Sequence, residues 1–210
     1  MVQMTEIAEW LQKGKAKEVV ALVQQAVEEG TPAEIILKEG LMAGMDAVGK
    51  RFRDNEIFVP EVLMAARAMS KGSEVLRPLL TKEGGVSSGK VCIGTVKGDL
   101  HDIGKNLVKM MLEGKGLEVI DLGTDVPAET FIQTAIEENC QIICCSALLT
   151  TTMPEMERVI HAAIEAGIRD KVKIMVGGAP VTQEFADSIG ADAYTDDAAS
   201  AADVAVGFCS

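Results

Sequence analysis

Apolar residues in the first third of the chain recur at intervals of three and four, the spacing that buries one stripe of a helix, and no strand pattern interrupts them. A short helix is predicted over 6–11 and a longer one over 16–27, where Val19, Val20, Leu22, Val23 and Val27 carry the stripe. Thr31-Pro32-Ala33-Glu34 reads as a helix start, with Thr31 as the cap, proline in the first turn and a glutamate three residues on. That helix continues through Ile35, Ile36, Leu41, Met45 and Val48 toward Phe52, with Gly40 and Gly44 as weak points. A fourth starts near Pro60 and passes through Val62, Leu63, Ala66 and Met69 toward Leu79, with Met64 and Met69 read as packing residues. Residues 1–82 are therefore expected to form a four-helix bundle.

From Thr81 to Gly89 the periodicity is lost in a run of Gly, Ser and charged residues, so a linker is placed at 83–89. Beyond it, over 90–210, short apolar runs alternate with helical patterns. Strands are expected at 91–96, 118–121, 141–147, 172–176 and near 192–195, and helices at 103–114, 127–138, 153–166, 181–189 and 197–208. Such alternation predicts an α/β doubly wound, five-stranded parallel sheet covered on both faces. In a flavodoxin-like strand order, 2-1-3-4-5, a ligand crevice opens where the first and third strands end.

Composition narrows the function classes. A net charge of −12 argues against nucleic acid and against anionic membranes as partners. No run approaches the roughly 20 apolar residues that span a bilayer, and the N-terminal residues lack a basic segment followed by an apolar one, so a cytoplasmic location is expected. The five cysteines contain no Cys-x-x-Cys, and Cys92, Cys144 and Cys145 lie in apolar runs as small core residues.

The chemistry concentrates after the first strand, in Gly98-Asp99-Leu100-His101-Asp102-Ile103-Gly104, which holds one of only two histidines. Asp99, two residues before His101, is placed to accept a hydrogen bond from one ring nitrogen while the other faces a metal. Gly104 opens the next helix without a side chain, leaving space for a bulky group. The third strand ends in Ser146-Ala147-Leu148-Leu149-Thr150-Thr151-Thr152 and the fourth in Gly177-Gly178. Together these outline a narrow slot with hydroxyls on one wall and an imidazole at its mouth. The other histidine, His161, is expected on a helix away from this loop, as a surface or packing residue.

Asp-x-His-x-x-Gly, followed by Ser-x-Leu and Gly-Gly on the later strand ends, resembles the corrinoid (cobalamin-binding) proteins, and 95–106 is close to the cobalamin-binding region of methionine synthase. Upstream, Val48-Gly49-x-x-Phe52, Ile57 to Val62 and Ala65 to Met69 are similar to the helical cap found there and in the corrinoid proteins of methylamine, methanol and methoxy-aromatic methyltransferase systems. The resemblance implies a cobalt corrinoid whose lower ligand is His101, with Asp99 as its hydrogen-bond partner and Thr152 extending that relay to solvent. Gly98, Leu100 and Asp102 would line the cofactor beside them. Ser146, Leu148 and Thr150 would contact the cofactor tail, Gly104, Gly177 and Gly178 would leave it room, and Ala198 would lie near its end. Phe58 would be the residue that shields the upper face, a core aromatic of the bundle, or both.

What the resemblance implies in function is a methyl carrier with no complete active site of its own. A substrate:corrinoid methyltransferase would load it, a corrinoid:tetrahydrofolate or corrinoid:thiol methyltransferase would unload it, and a reductive activator would maintain the cobalt. His101 ligation would change with cobalt oxidation state, and the Asp99 relay would take up or release a proton as it does so. The alternatives are a mutase subunit, a cobalamin-sensing regulator and a corrinoid-free flavodoxin-like module.

Overall fold

The computed structural model describes residues 2–80 and 89–209, so most of the expected linker, 83–88, lies outside the described residues. Residues 2–80 with 114–116 make one compact unit, and 89–113 with 117–209 make another.

The first unit is helical: α1 (Met4–Gln12), α2 (Ala16–Glu28), α3 (Ala33–Ile35), α4 (Ala43–Arg53) and α5 (Val59–Leu80). The expected third helix is therefore present but not uniform, because a π-helical stretch, Ile36–Met42, joins α3 to α4. It widens the turn where Ile36 and Leu41 both have to reach the core, and both are fully buried beside Ile7, Leu11, Val19 and Val23. Gly40 and Gly44 are close-approach points and not weaknesses. A Cβ on Gly40 would lie 3.2 Å from the Ile7 side chain, and one on Gly44 3.1 Å from the Ala8 backbone. Thr31 is not a cap, since Pro32 occupies that position with no side-chain cap bond. Met69 is buried as expected, whereas Met64 is half exposed.

The second unit contains β1 (Lys90–Val96), α6 (Ile103–Gly114), β2 (Glu118–Val126), α7 (Ala128–Glu137), β3 (Ile142–Ser146), α8 (Pro154–Glu165), β4 (Lys173–Gly177), α9 (Gln183–Ile189), β5 (Ala193–Tyr194) and α10 (Ala198–Phe208). All strands pair in parallel, in the order β2-β1-β3-β4-β5. Burial on both faces explains the unbroken apolar runs: Val91 to Val96 of β1 and Ile142 to Cys145 of β3 are all buried. The main cluster packs Cys92, Val96, Ile143 and Cys145 against Phe131 of α7 and Met156 of α8. β2 is twice as long as expected, because its second half buckles. Ile93 pairs with Asp121, Gly94 with Gly123 and Val96 with Val126, so the strand gains residues on its partner as it nears the crevice. Among the described residues, no helix is long and apolar enough to cross a membrane.

Candidate functional site

β1 stops in a turn closed by a hydrogen bond from Asp99 N–H to the Val96 carbonyl at 3.1 Å. Gly98 takes the third position of that turn at φ +81, which a side chain would resist. The turn delivers Asp99 into the protein and His101 to its surface: the Asp99 side chain is wholly buried, while that of His101 is 52% exposed.

Asp99 is the hub. Its Oδ1 accepts from His101 Nδ1 at 2.7 Å and from His101 N–H at 3.1 Å. Its Oδ2 accepts from Leu148 N–H at 2.8 Å, Leu149 N–H at 3.2 Å and the Thr152 hydroxyl at 2.8 Å. Burial alone would raise the carboxyl pKa, but these donors outweigh it and hold the group well below the usual carboxylate range. An ionised Asp99 fixes the imidazole tautomer. Nδ1 must carry the proton, which leaves the lone pair on Nε2 for a metal. The bonds to Leu148, Leu149 and Thr152 also tie the β1 loop to the β3 loop, across the point where the strand order reverses.

Thr152 differs from the expected relay to solvent, since it is only 7% exposed and its hydroxyl meets Asp99 from inside the fold. That hydroxyl also lies 2.9 Å from the Leu149 carbonyl, and with one proton it serves the carboxylate or the carbonyl but not both.

Of the other expected residues, Ser146 ends β3 in register with Thr95 of β1 and Gly177 of β4, forming one row at the sheet's carboxyl edge. A Cβ on Gly177 or Gly104 would meet no atom within 4 Å, so both open onto free space. Gly178 is different. At φ +136, a Cβ there would fall on the Ala147 carbonyl oxygen, so the backbone crossing requires glycine whatever binds nearby. Thr150 is exposed, and Asp102 accepts a bond from Asn106 at 3.0 Å. Ala198 is buried at the start of α10, at the same carboxyl edge but after the last strand.

Around His101 the surface is apolar, with Leu100, Ile103, Leu148 and Leu149 all exposed. In the helical unit Phe58 is 64% exposed, so it is not a core aromatic. Its backbone is nonetheless fixed just before α5, where Glu61 returns its carboxylate to accept from Phe58 N–H at 3.1 Å. His161 is a surface residue.

Three groups were not anticipated from the sequence. Thr95, wholly buried, donates to the His101 carbonyl at 2.8 Å, and a hydroxyl in the last apolar positions of β1 was the signal for it. Lys105 is almost completely buried and bonds Asp121 at 2.5 Å, while Lys109 reaches the other oxygen of the same carboxylate at 3.2 Å. Asp125 of β2 accepts from Gly98 N–H at 2.7 Å.

The site suits a flat metal macrocycle. Among the described residues, no three His, Cys, Asp or Glu side chains converge on a bare ion, so a metal on His101 Nε2 brings its remaining ligands with it. Cys144 and Cys145 are packing groups: burial pushes the Cys144 thiol up to about 12 and raises that of Cys145 as well. Exposed leucines and an isoleucine beside the imidazole offer apolar area to a ring, and the openings at Gly104 and Gly177 accept a substituent that runs inward.

The B12 binding domain family matches residues 89–204, and a second B12 binding domain family matches residues 3–77. The chain is 47% identical to the dimethylamine corrinoid protein of Methanosarcina barkeri, over 94% of this chain and 93% of that one. It is 46% identical to trimethylamine corrinoid protein 1 of Methanosarcina acetivorans, over 88% and 90%. Among solved structures it resembles the methanol:cobalamin methyltransferase complex MtaBC of Methanosarcina barkeri, with a TM-score of 0.88 and 33% identity over 98% of this chain and 79% of that one. A cobalamin-binding protein from Desulfitobacterium hafniense DCB-2 superposes with a TM-score of 0.83 at 28% identity over 99% of each.

Proposed function

Because the chain belongs to the B12-binding corrinoid proteins, we propose that it is the methyl carrier of a multi-component methyltransferase system, loaded from a methylated amine by a partner methyltransferase. When bound, the corrinoid supplies the cobalt that accepts a methyl group from one partner and gives it to the next. The chain's own residues hold and tune it. The observation that carries this reading is the half-exposed His101, locked through Nδ1 onto a fully buried, ionised Asp99.

His101 Nε2 would hold the metal, while Asp99 keeps the proton on the opposite ring nitrogen. Thr152 and the Leu148 and Leu149 N–H groups keep Asp99 ionised and still. Leu100, Ile103 and Leu148 lie against the macrocycle, while Gly98 and Asp102 shape the loop around His101. Ser146 and Thr150 offer hydroxyls to the tail, Gly104 and Gly177 leave it passage, and Ala198 lies near its end, while Gly178 serves the backbone crossing at Ala147 and not the tail. Phe58, exposed yet fixed just before α5, would shield the cofactor. Residues 2–80 serve as the helical cap, and 89–209 apart from 114–116 as the corrinoid domain. A second methyltransferase takes the methyl group to tetrahydrofolate or a thiol, a reductive activator restores the cobalt, and all act in the cytoplasm.

The relatives favour amines as the donor class, since the two named above are dimethylamine and trimethylamine corrinoid proteins that match nearly the full chain. The test is to load the chain with hydroxocobalamin, reduce it to cobalt(II), and record the electron resonance spectrum with and without nitrogen-labelled histidine. A change in hyperfine pattern on labelling is expected, and an unchanged pattern would remove His101 as the ligand. Methyl transfer with captured partner methyltransferases, assayed over mono-, di- and trimethylamine, methanol and an aromatic methyl ether, then identifies the donor; activity with no amine would overturn that assignment.

A further inference from the structure

Three residues other than glycine have positive φ among the described residues: Asn55, Asp125 and Asn139. Asn55 and Asn139 each lie two residues past the end of a helix, α4 and α7, where a left-handed residue is an ordinary terminator. Asp125 lies inside β2, at φ +55, one residue before the strand ends. That conformation is unfavourable for a residue with a Cβ, so something must compensate for it.

The compensation goes to the Asp99 turn. Asp125 Oδ1 accepts from Gly98 N–H at 2.7 Å, and Asp125 N–H donates to the Asp99 carbonyl at 2.9 Å. The side chain does not cap the next helix, because Pro127 fills that position and α7 has no side-chain cap bond. Buckling of β2 between Asp121 and Val126 is what turns Asp125 toward the turn. The β1 turn is thus gripped on two sides. The β3 loop holds the Asp99 carboxylate, and Asp125 holds the backbone on either side of the Gly98–Asp99 peptide.

We propose that Asp125 is a positioning residue for the metal-ligating histidine: it fixes the Gly98–Asp99 peptide from the β2 side, and so sets where His101 presents Nε2. The proposal rests on the reading of His101 as the ligand, and its test separates the two. Asp125→Asn retains an acceptor and tolerates the left-handed backbone. Asp125→Gly relieves the backbone cost but removes the acceptor, so the fold is retained while the grip is lost.

Amide hydrogen exchange is measured on the full chain without corrinoid. Asp125→Gly is expected to speed exchange at Gly98 by at least about tenfold, the loss of one charge-assisted bond, with the strands of the sheet unchanged. Asp125→Asn is expected to fall between wild type and Asp125→Gly, since its neutral acceptor keeps roughly half of that bond. Unchanged exchange at Gly98 in Asp125→Gly overturns the proposal, and so does an Asp125→Asn variant as fast as Asp125→Gly, which would assign the effect to charge. In cobalt(II)-loaded protein, the labelled-histidine hyperfine should weaken in Asp125→Gly and persist in Asp125→Asn; equal signals in all three proteins overturn the positioning role. A wild-type protein without that hyperfine would instead defeat the ligand reading, leaving the exchange arm to decide whether Asp125 grips the turn.

Discussion

Asp99→Asn keeps the shape of the hub and removes its charge, which makes the cost of the change readable from the five bonds around it. With the amide oxygen on the β3 side, the bonds from Leu148, Leu149 and Thr152 survive, but Nδ2 then faces His101 N–H, donor against donor at a site 3.1 Å away. The opposite orientation orphans two backbone donors and is worse. The better orientation still leaves one partly buried donor unpaired, at about 1–3 kcal/mol. It also turns three charge-assisted bonds into neutral ones of roughly half the strength. Relief from burying a charge opposes these losses. We expect a net destabilisation of about 2 kcal/mol, or about 4–8 °C in Tm for a chain of this size.

The imidazole should respond more sharply than the fold. With Nδ2 opposite it, Nδ1 becomes an acceptor and the proton moves to Nε2, the nitrogen that would have bound the metal. Long-range proton–nitrogen correlation spectra of labelled histidine, taken in alkaline buffer without corrinoid, distinguish the tautomers directly. The pH dependence has a fixed sign. A depressed carboxyl pKa in the folded state contributes stability above the unfolded value, about 3.9, and loses it as pH falls toward the folded value. The Tm gap between wild type and Asp99→Asn should therefore hold from neutral pH to about 5 and close below about 4. An Asn variant with the wild-type tautomer and an unchanged Tm would refute this account of the hub.

The Lys105–Asp121 pair should be asymmetric. Asp121→Ala strands a buried ammonium and should cost about 3 kcal/mol or more in thermal unfolding, whereas Lys105→Met leaves a carboxylate that is 23% exposed and still bonded to Lys109 and Gly123 N–H, so about 1–2 kcal/mol is expected; equal losses would contradict it. Gly178→Ala should prevent stable folding of the sheet edge, while Gly177→Ala should keep the wild-type Tm and weaken corrinoid retention on gel filtration; normal retention would place the tail elsewhere. Gly104→Ala adds a methyl to a helix with no neighbour in reach, so a gain of about 0.5–1 kcal/mol in stability should accompany poorer corrinoid uptake, and unimpaired uptake would show that this opening is not used. Phe58→Ala, at an exposed position, should move stability by less than about 0.5 kcal/mol yet speed photolysis of the methylated protein; unchanged photolysis would leave Phe58 without a shielding role.

Periodicity read the architecture well because both units bury their apolar residues in the way periodicity assumes. The parallel sheet made each strand a continuous apolar run, and the observed order is the flavodoxin-like one supposed for such an alternation. It failed where backbone geometry departs from the repeat. The π-helical stretch Ile36–Met42 keeps the apolar spacing of an α-helix, and nothing in that spacing reveals the wider turn. The second half of β2, Leu122-Gly-Thr-Asp-Val126, reads as a loop because glycine and aspartate disfavour strands, yet it continues the sheet by buckling.

That same departure explains which parts of the site were hidden. Asp99 and His101 carry groups whose chemistry is legible as residue types, and their two-residue spacing already implied their bond, whereas Thr152 was singled out by the resemblance alone. What holds Asp99 in its ionised form is largely backbone, the N–H groups of Leu148 and Leu149, which any sequence could supply. Asp125 is hidden for another reason. An aspartate after Gly-Thr looks like a solvated loop residue, and only the positive φ of a buckled strand turns it onto the Gly98–Asp99 peptide. The lone pair on Nε2 is thus set by side chains that the sequence displays and by a backbone frame that it does not, so variants chosen from motif residues alone would test the first and leave the second untouched.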